Sequence, residues 1–228
     1  MPPFYASEIY VDLIRFIHLL SVAGGLGAAL VADSYILLRL RRPLDLTFVR
    51  NLHRYRALVF LFLIPLWISG VLLIGIRTGF DMADFSPKLW FKIGAVSLLT
   101  LNGIVMGGYA FSAMARFKHL SLAEFPFPVL MRFGLLASIS SSCWLLALSF
   151  GVSKFLAASD TTSLSAYSLI VVSLIALSVL GLLSGAAMAS RRRRSFALQS
   201  LGQAKTGYLK MIQSPDHAVH GHPRKIGY

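Results

Sequence analysis

Charged side chains are scarce in this chain. Asp, Glu, Lys and Arg together make up 14% of its 228 residues, whereas a typical soluble domain has about 25%. Hydrophobic residues make up 56%, and the mean hydropathy is +0.70. This shortage of charge excludes an ordinary soluble globular domain and indicates a polytopic membrane protein.

Cysteine is almost absent. Cys143 is the single cysteine and lies inside an apolar run, so an intrachain disulfide is excluded and no thiolate metal site is indicated. Basic residues are also absent from the first 14 positions, where Glu8 and Asp12 precede Arg15. The first apolar segment therefore lacks the basic n-region of a cleaved signal peptide, and we expect it to be retained.

Acidic residues are few, and the chain has a net charge of +13. Such a charge can indicate nucleic-acid binding. Here, however, most of the basic residues occupy the connections and the tail between apolar runs, as the positive-inside rule of membrane proteins predicts. We therefore expect the partner of this charge to be the lipid bilayer and not a nucleic acid.

Five apolar segments are each long enough to cross a bilayer as a helix, which takes about 20 residues. The sequence predicts an all-α bundle of five transmembrane helices. Pro65, inside the second segment, is expected to kink that helix without ending it. The segments are Val11–Leu38, Ala57–Ile76, Leu89–Tyr109, Val129–Phe150 and Leu164–Ala189.

The lysines and arginines predict an orientation. Of the 22, 17 lie in the connections after the first and third segments, at Arg132 just inside the fourth segment, or in the tail, which predicts an outer N-terminus and a cytoplasmic C-terminus. The expected location is the bacterial inner membrane.

We expect residues 1–190 to form the bundle and residues 191–228 a basic, flexible cytoplasmic tail. Its run Arg191–Arg194 is expected to stop transfer and lie against anionic headgroups.

Lys92 is the anomalous residue of the third segment, because a charge inside a membrane helix is costly. One interpretation is that Lys92 only extends to the headgroups. The other is that Lys92 faces the bundle interior. Gly103 favours the second interpretation, because it lies eleven residues after Lys92, nearly on the same helical face, and belongs to the helix-packing pattern Gly103-x-x-x-Gly107.

Arg15 and His18 share a face of the first helix, since they are three residues apart. If the first and third helices are neighbours, Arg15, His18 and Lys92 lie at a similar depth from the outer side. Neutral imidazole can bind a metal or haem iron. The two cations can pair with carboxylates such as porphyrin propionates. Alternatively, His18 is only a hydrogen-bonded packing residue.

Other polar residues are weaker candidates. Asp33 could cap the helix region, pair with a basic residue such as Arg39, or serve a proton path, and Asn102 is expected to hydrogen-bond across helices. His53 and His119 are expected to be solvated, whereas a tail cluster could bind metal. That cluster comprises His217, His220 and His222. The pairs Gly103/Gly107 and Gly181/Gly185 could also pack helices of a homo-oligomer or a larger membrane complex.

Three short stretches resemble the HemJ-type protoporphyrinogen oxidases. Arg15-Phe16-Ile17-His18 resembles that family's K-x-x-H opening, with arginine in place of lysine. Ser69-Gly70, with Arg54-Tyr55-Arg56 before the same segment, resembles its second helix. Leu89-Trp90-Phe91-Lys92 resembles its L-x-x-K entry to the third helix. The CopD-like copper-resistance membrane domains have a related architecture.

The resemblance implies a helical membrane bundle that binds haem b or a porphyrin and oxidises a tetrapyrrole. It implies His18 as metal ligand and catalytic residue, Lys92 as a second catalytic residue, and Arg15, Lys92 and Asn102 as cofactor contacts. Leu101-Asn102-Gly103 stands where the family has Tyr-His-Gly, so a second axial histidine is missing there. The alternative class is a non-catalytic membrane scaffold, an assembly factor or a CopD-like copper-handling protein. The lack of methionine clusters and cysteine pairs disfavours copper.

Overall fold

The chain forms five long α-helices and no β-strand within residues 3–118, 120–153, 156 and 159–213, which the computed structural model describes. The α-helices are α1 (Pro3–Arg39), α2 (Leu46–Thr78), α3 (Pro87–Arg116), α4 (Phe127–Val152) and α5 (Thr161–Gln213). Each contains a stretch long and apolar enough to cross a membrane. The predicted all-α architecture with five candidate spans is confirmed.

Local chemistry determines the ends of α2. The Asp45 carboxylate accepts a hydrogen bond from the Phe48 N–H and caps the exposed amides at the start of the helix. At the other end, Gly79 adopts a left-handed conformation with φ of 58°, and its N–H donates to the Gly75 carbonyl at 2.9 Å. Pro65 lies inside this continuous helix and does not end it, as predicted.

The helix connections pack together in pairs. The Leu44 N–H donates to the Leu120 carbonyl at 3.3 Å, which joins the α1–α2 connection to the α3–α4 connection. We call this end of the bundle the basic end, because its connections are rich in arginine. At the opposite end, Lys88 Nζ donates to the Ser153 carbonyl at 2.8 Å and joins the start of α3 to the end of α4. The helices therefore alternate in direction through α4.

The core consists of three apolar clusters along the bundle. The cluster at the basic end is centred on Phe48 and Leu130. The middle cluster includes Leu66 and Trp144. The third lies at the opposite end around Phe150. Between 11% and 33% of the most apolar window of each span is buried, so most apolar side chains face outward and need lipid around them.

The glycine pairs differ in their surroundings. A Cβ at Gly103 would lie 3.2 Å from the Phe60 ring, and a Cβ at Gly107 would collide with the Arg56 guanidinium. Both glycines therefore face α2, as the predicted helix contact requires. Because α2 covers them within the chain, this pair does not offer a free face for an oligomer. Gly181 and Gly185 have open space where a Cβ would be.

The chain divides into two compact units, Met1–Ala187 and Met188–Tyr228. In the second unit, α5 continues through the four arginines to Gln213. Residues 191–213 are thus helical, which the sequence did not predict, and the flexibility of the tail stays a prediction. The tail histidines His217, His220 and His222 lie outside the described residues, as does His119.

Candidate functional site

The His18 side chain projects from α1 against α2. Its Nδ1 lies 3.0 Å from the Ser69 hydroxyl, and that hydroxyl donates to the Pro65 carbonyl at 2.6 Å. A serine has one hydroxyl hydrogen, and the short bond to Pro65 uses it. With the hydroxyl hydrogen donated to Pro65, Ser69 accepts from the imidazole; in this tautomer Nδ1 carries the hydrogen and Nε2 keeps its lone pair.

Gly70 completes the surface that faces the imidazole. A Cβ at Gly70 would lie 3.6 Å from His18 Cε1, which is an ordinary van der Waals distance. The ring therefore approaches α2 closely but leaves room for one methyl group at this position. Ser69 provides the polar contact of the pair, and Gly70 provides only space.

Lys92 is the cation whose charge acts on the His18 imidazole. It lies half-buried on α3. Arg77 and Lys88 in turn act on Lys92. Among the described residues, the carboxylates that form ion pairs do so elsewhere, in Arg15–Asp12 and Arg39–Asp45. The His18 side of the bundle thus has a positive potential without a paired carboxylate at Lys92.

Arg15 has a different environment from Lys92. Its guanidinium lies 3.1 Å from the Asp12 carboxylate on the same helix, and its side chain is 63% exposed. The Lys92 charge therefore acts on His18, whereas Arg15 stays on the exposed surface of α1 with its own acidic partner. The Arg15 guanidinium would have to leave Asp12 before Arg15 could bind another anion.

Asn102 links α3 to α4. It is buried, and its side-chain amide donates to the Leu136 carbonyl at 3.0 Å, which confirms the predicted bond across helices. Asn102 is ten residues beyond Lys92, or about 15 Å along the helix. The structure therefore does not bring Asn102 to the His18–Lys92 group, and its amide oxygen has no hydrogen-bond partner.

Asp33 accepts a hydrogen bond from the Ser141 hydroxyl at 3.3 Å and so connects α1 with α4. The suggested ion pair between Asp33 and Arg39 is wrong. Arg39 instead pairs with Asp45 at 2.7 Å, because Asp45 lies six residues further along, at the start of α2, where the chain turns back. Asp33 is thus a link between helices and not the counterion of the loop.

The sequence did not identify the contact between His18 and Ser69, although Ser69 belongs to one of the resembling stretches. A small polar residue one turn after a proline is the available signal, since its hydroxyl can bond the proline carbonyl and still accept from another helix. The similar depth of His18 and Lys92 in the membrane also predicted Lys92 as the neighbour of His18, and not a residue of the second helix. Pairing of α1 with α2 decides this contact.

An apolar cavity of about 370 Å³ borders another face of α3. It lies between α3, α4 and α5, and its lining includes Phe91, Ser142 and Phe150 but not His18 or Lys92. Phe91 and Lys92 are adjacent in sequence and point to different sides of the helix. At this level, α3 therefore separates an apolar space from the positively charged surroundings of His18.

With Nδ1 protonated, the His18 group offers the Nε2 lone pair, and the Lys92 charge acts on the same ring. Among the described residues, no cluster of three or more His, Cys, Asp or Glu side chains could hold a metal ion. The arrangement can supply one metal ligand or accept one proton, and it can attract an anion. Comparison of the chain with models of known families, with curated proteins and with solved structures finds no match.

Proposed function

We propose that this protein is an integral membrane protein that binds haem or a related porphyrin at the His18–Lys92 group. The observation that carries the proposal is the geometry of His18. Its Nδ1 is engaged by Ser69 at 3.0 Å, and the Lys92 charge acts on the same ring. One nitrogen is thus available for iron or a proton, and one cation is available for a carboxylate.

The donor set supports a macrocycle over a bare metal ion. A structural or catalytic metal ion generally takes three or four ligands from the protein. Haem iron is already held by the porphyrin and needs only an axial ligand from a side chain such as histidine. One imidazole without further donor side chains therefore suits haem iron better than it suits free copper or zinc.

The cations around Lys92 support an anionic ligand. Lys92 lies within the electrostatic reach of both Lys88 and Arg77, and a cluster of like charge concentrates anions of opposite sign. In this proposal, Lys92 binds the carboxylate of the ligand. Arg15 can bind the same ligand only after its bond to Asp12 opens. That ion pair is exposed and therefore weak, so its opening costs little.

The proposal extends to a reaction in the manner of the HemJ-type enzymes. Bound haem would supply one-electron chemistry. The chain itself would orient the imidazole through Ser69, hold the haem with His18 Nε2 and hold the carboxylate with Lys92, so that His18 is not also the base for the substrate. The overall activity would be oxidation of a tetrapyrrole, with its electrons passed to a separate electron acceptor and its protons to solvent, and the resemblance of the three stretches that contain His18, Ser69 and Lys92 supports this choice.

An absorption spectrum tests the binding step. Protein purified in detergent is expected to show a haem Soret band, or to acquire one when titrated with haemin. His18→Ala and Lys92→Ala are each expected to weaken haem binding. Lys92→Arg is expected to be less harmful than Lys92→Ala, because it keeps the charge. The double variant should lose less than the sum of the two losses, since the groups act as a unit.

Matched controls separate this site from non-specific effects. His53→Ala and Lys118→Ala remove the same residue types from exposed positions at the basic end, and both are expected to bind haem like the parent. A protein with no tetrapyrrole that takes none up would contradict the proposal and favour the scaffold or assembly-factor alternative. Loading with copper but not haem would favour the CopD-like alternative.

A further inference from the structure

A second polar group lies on the seam between α2 and α3. Three α2 residues on one face, His53, Arg56 and Phe60, oppose three α3 residues, Phe111, Gly107 and Gly103. The His53 and Phe111 rings stack with centroids 3.4 Å apart. The Arg56 guanidinium covers Gly107, and the Phe60 ring covers Gly103. Large side chains of α2 therefore fill the space that the small residues of α3 leave.

The Arg56 guanidinium is held on three sides. Its Cζ lies 5.3 Å from the centre of the Phe60 ring and 5.8 Å from the centre of the Phe111 ring. Both distances are within the range of cation–π contact. Gly107 forms the floor, because any Cβ there would occupy the position of the guanidinium. We call Phe60, Gly107 and Phe111 the cradle of Arg56.

The cradle supplies no anion. Arg56 Nε is buried without a hydrogen-bond partner. In the described part of the chain, no carboxylate forms an ion pair with Arg56, since the two ion pairs there involve Arg15 and Arg39. A partly buried charge that lacks an anion is unfavourable unless a ligand or solvent compensates it. The five N–H donors of arginine are suited to a phosphate group.

The depth of Arg56 identifies the source of such a phosphate. Arg56 immediately precedes the apolar stretch Ala57–Ile76, so its guanidinium lies where the apolar span meets the headgroup layer. It is also 13 residues from Ser69, about 20 Å along α2. The Arg56 group is therefore a separate site from the His18–Lys92 group.

We propose that Arg56 in its cradle binds the phosphate of an anionic phospholipid at the basic end of the bundle. The terminal Nη groups of the guanidinium would donate to the phosphate oxygens, since Nε is buried, while Phe60 and Phe111 restrict its orientation. Exposed Arg50 and Arg54 lie on the same stretch of α2 and favour a net negative headgroup over a zwitterionic one. Neither His18 nor a tetrapyrrole takes part in this site.

Lipid titration followed by native mass spectrometry tests the site on the full-length protein. The parent is expected to bind phosphatidylglycerol more tightly than phosphatidylcholine. Arg56→Gln is expected to weaken phosphatidylglycerol binding about tenfold, the loss of one good charge-assisted contact. Arg56→Lys is expected to lie between them, because it keeps the charge and loses the planar fork.

Two glycine variants test the cradle without removing the arginine. Gly107→Ala must push the guanidinium aside, and this costs little in folding because the displaced atoms end a long side chain. Phosphatidylglycerol binding is therefore expected to fall as it does in Arg56→Gln, with unchanged helix content. Gly108→Ala, the adjacent glycine with open space around it, is expected to bind like the parent.

Arg54→Gln is the charge control, because Arg54 is exposed on the same helix. It is expected to lower phosphatidylglycerol affinity by a smaller factor than Arg56→Gln, because it removes only part of the general attraction to an anionic headgroup. Equal losses in Arg54→Gln and Arg56→Gln, or parent-like binding in Gly107→Ala, would overturn the site. Stabilisation by inorganic phosphate that depends on Arg56, with phosphatidylglycerol binding independent of it, would overturn the lipid as the source.

Discussion

Ser69 shows how one small polar residue can determine the chemistry of a membrane histidine. Its hydroxyl lies 2.6 Å from the Pro65 carbonyl and 3.0 Å from His18 Nδ1, so a hydrogen donated to Pro65 leaves a lone pair for Nδ1–H. A partner of this kind fixes both the tautomer and the orientation of an imidazole. His18, the proposed haem ligand, is thus oriented by a neighbour on another helix.

The first prediction concerns this contact. Ser69→Ala removes the acceptor for Nδ1–H and is expected to weaken haem binding about tenfold or more, as losses of such supporting partners do at metal sites. Haemin titration at the Soret band measures the affinity. The ¹⁵N chemical shifts of labelled His18 measure the tautomer directly and do not depend on haem.

Gly70→Ala is the matched control for Ser69→Ala. Its added methyl would lie 3.6 Å from His18 Cε1, an ordinary contact, so haem affinity and the tautomer are expected to stay close to those of the parent. Equal effects of the two substitutions would show that packing against α2, and not the hydroxyl, controls His18.

At the scale of the elements, the α2–α3 seam predicts a loss of stability. Gly107→Leu would displace the Arg56 guanidinium and place a branched side chain between the helices, so we expect lower thermal stability or a lower yield in detergent. Overpacking of this kind typically costs about 1–3 kcal/mol. The midpoint of thermal unfolding measured in detergent gives the effect.

Ile104→Leu is the control for Gly107→Leu on the same helix. Ile104 is 56% exposed on the apolar surface, and Leu has the same volume, so its unfolding midpoint is expected to match that of the parent. If Ile104→Leu were destabilising and Gly107→Leu behaved like the parent, the helix contact would lie on the Ile104 face of α3 and not on the Gly107 face.

A further prediction concerns the start of α2. Asp45→Ala removes the cap on the Phe48 N–H and the partner of Arg39, and the loss of a cap costs about 1 kcal/mol. Asp45→Asn keeps the capping oxygen and loses only the charge, so it is expected to be close to the parent. Thermal unfolding of both variants separates capping from ion pairing, and equal losses would make the ion pair the important term.

At the scale of the whole molecule, the structure pairs the connections that are rich in basic residues. The Leu44 N–H bonds the Leu120 carbonyl, so the first and third connections lie at one end. The Lys88–Ser153 bond places the start of α3 and the end of α4 at the other end. This pairing agrees with the alternation that the basic residues predict, while the side of the membrane stays a prediction.

Topology reporters test the orientation. A reporter fused at Leu46 is expected in the cytoplasm and one at Ser159 outside, because 17 of the 22 basic residues belong to the first and third connections, the start of the fourth segment and the tail. A fusion at Lys118 is expected to agree with Leu46, since their connections share an end. Identical readings at Leu46 and Ser159 would contradict the five-span topology.

The sequence by itself determined the five spans and the continuity of α2 through Pro65, and it predicted their alternation. Lipid imposes its requirement on each segment separately, so length and apolar composition are enough to recognise a span. The helix over residues 191–213 was harder to predict, because the polar residues there show no strong helical period.

Tertiary structure alone decided which side chains meet. Helices that are apolar on every side lack the polar face that marks the outside of a soluble helix, so the pattern does not identify neighbours. It therefore could not pair His18 with Ser69 or place Arg56 over Gly107. The pair of Arg15 with Asp12 is different, because two residues three apart on one helix are neighbours by spacing alone. The other exception was the glycine pair of α3, because small residues indicate close helix contact without naming the partner.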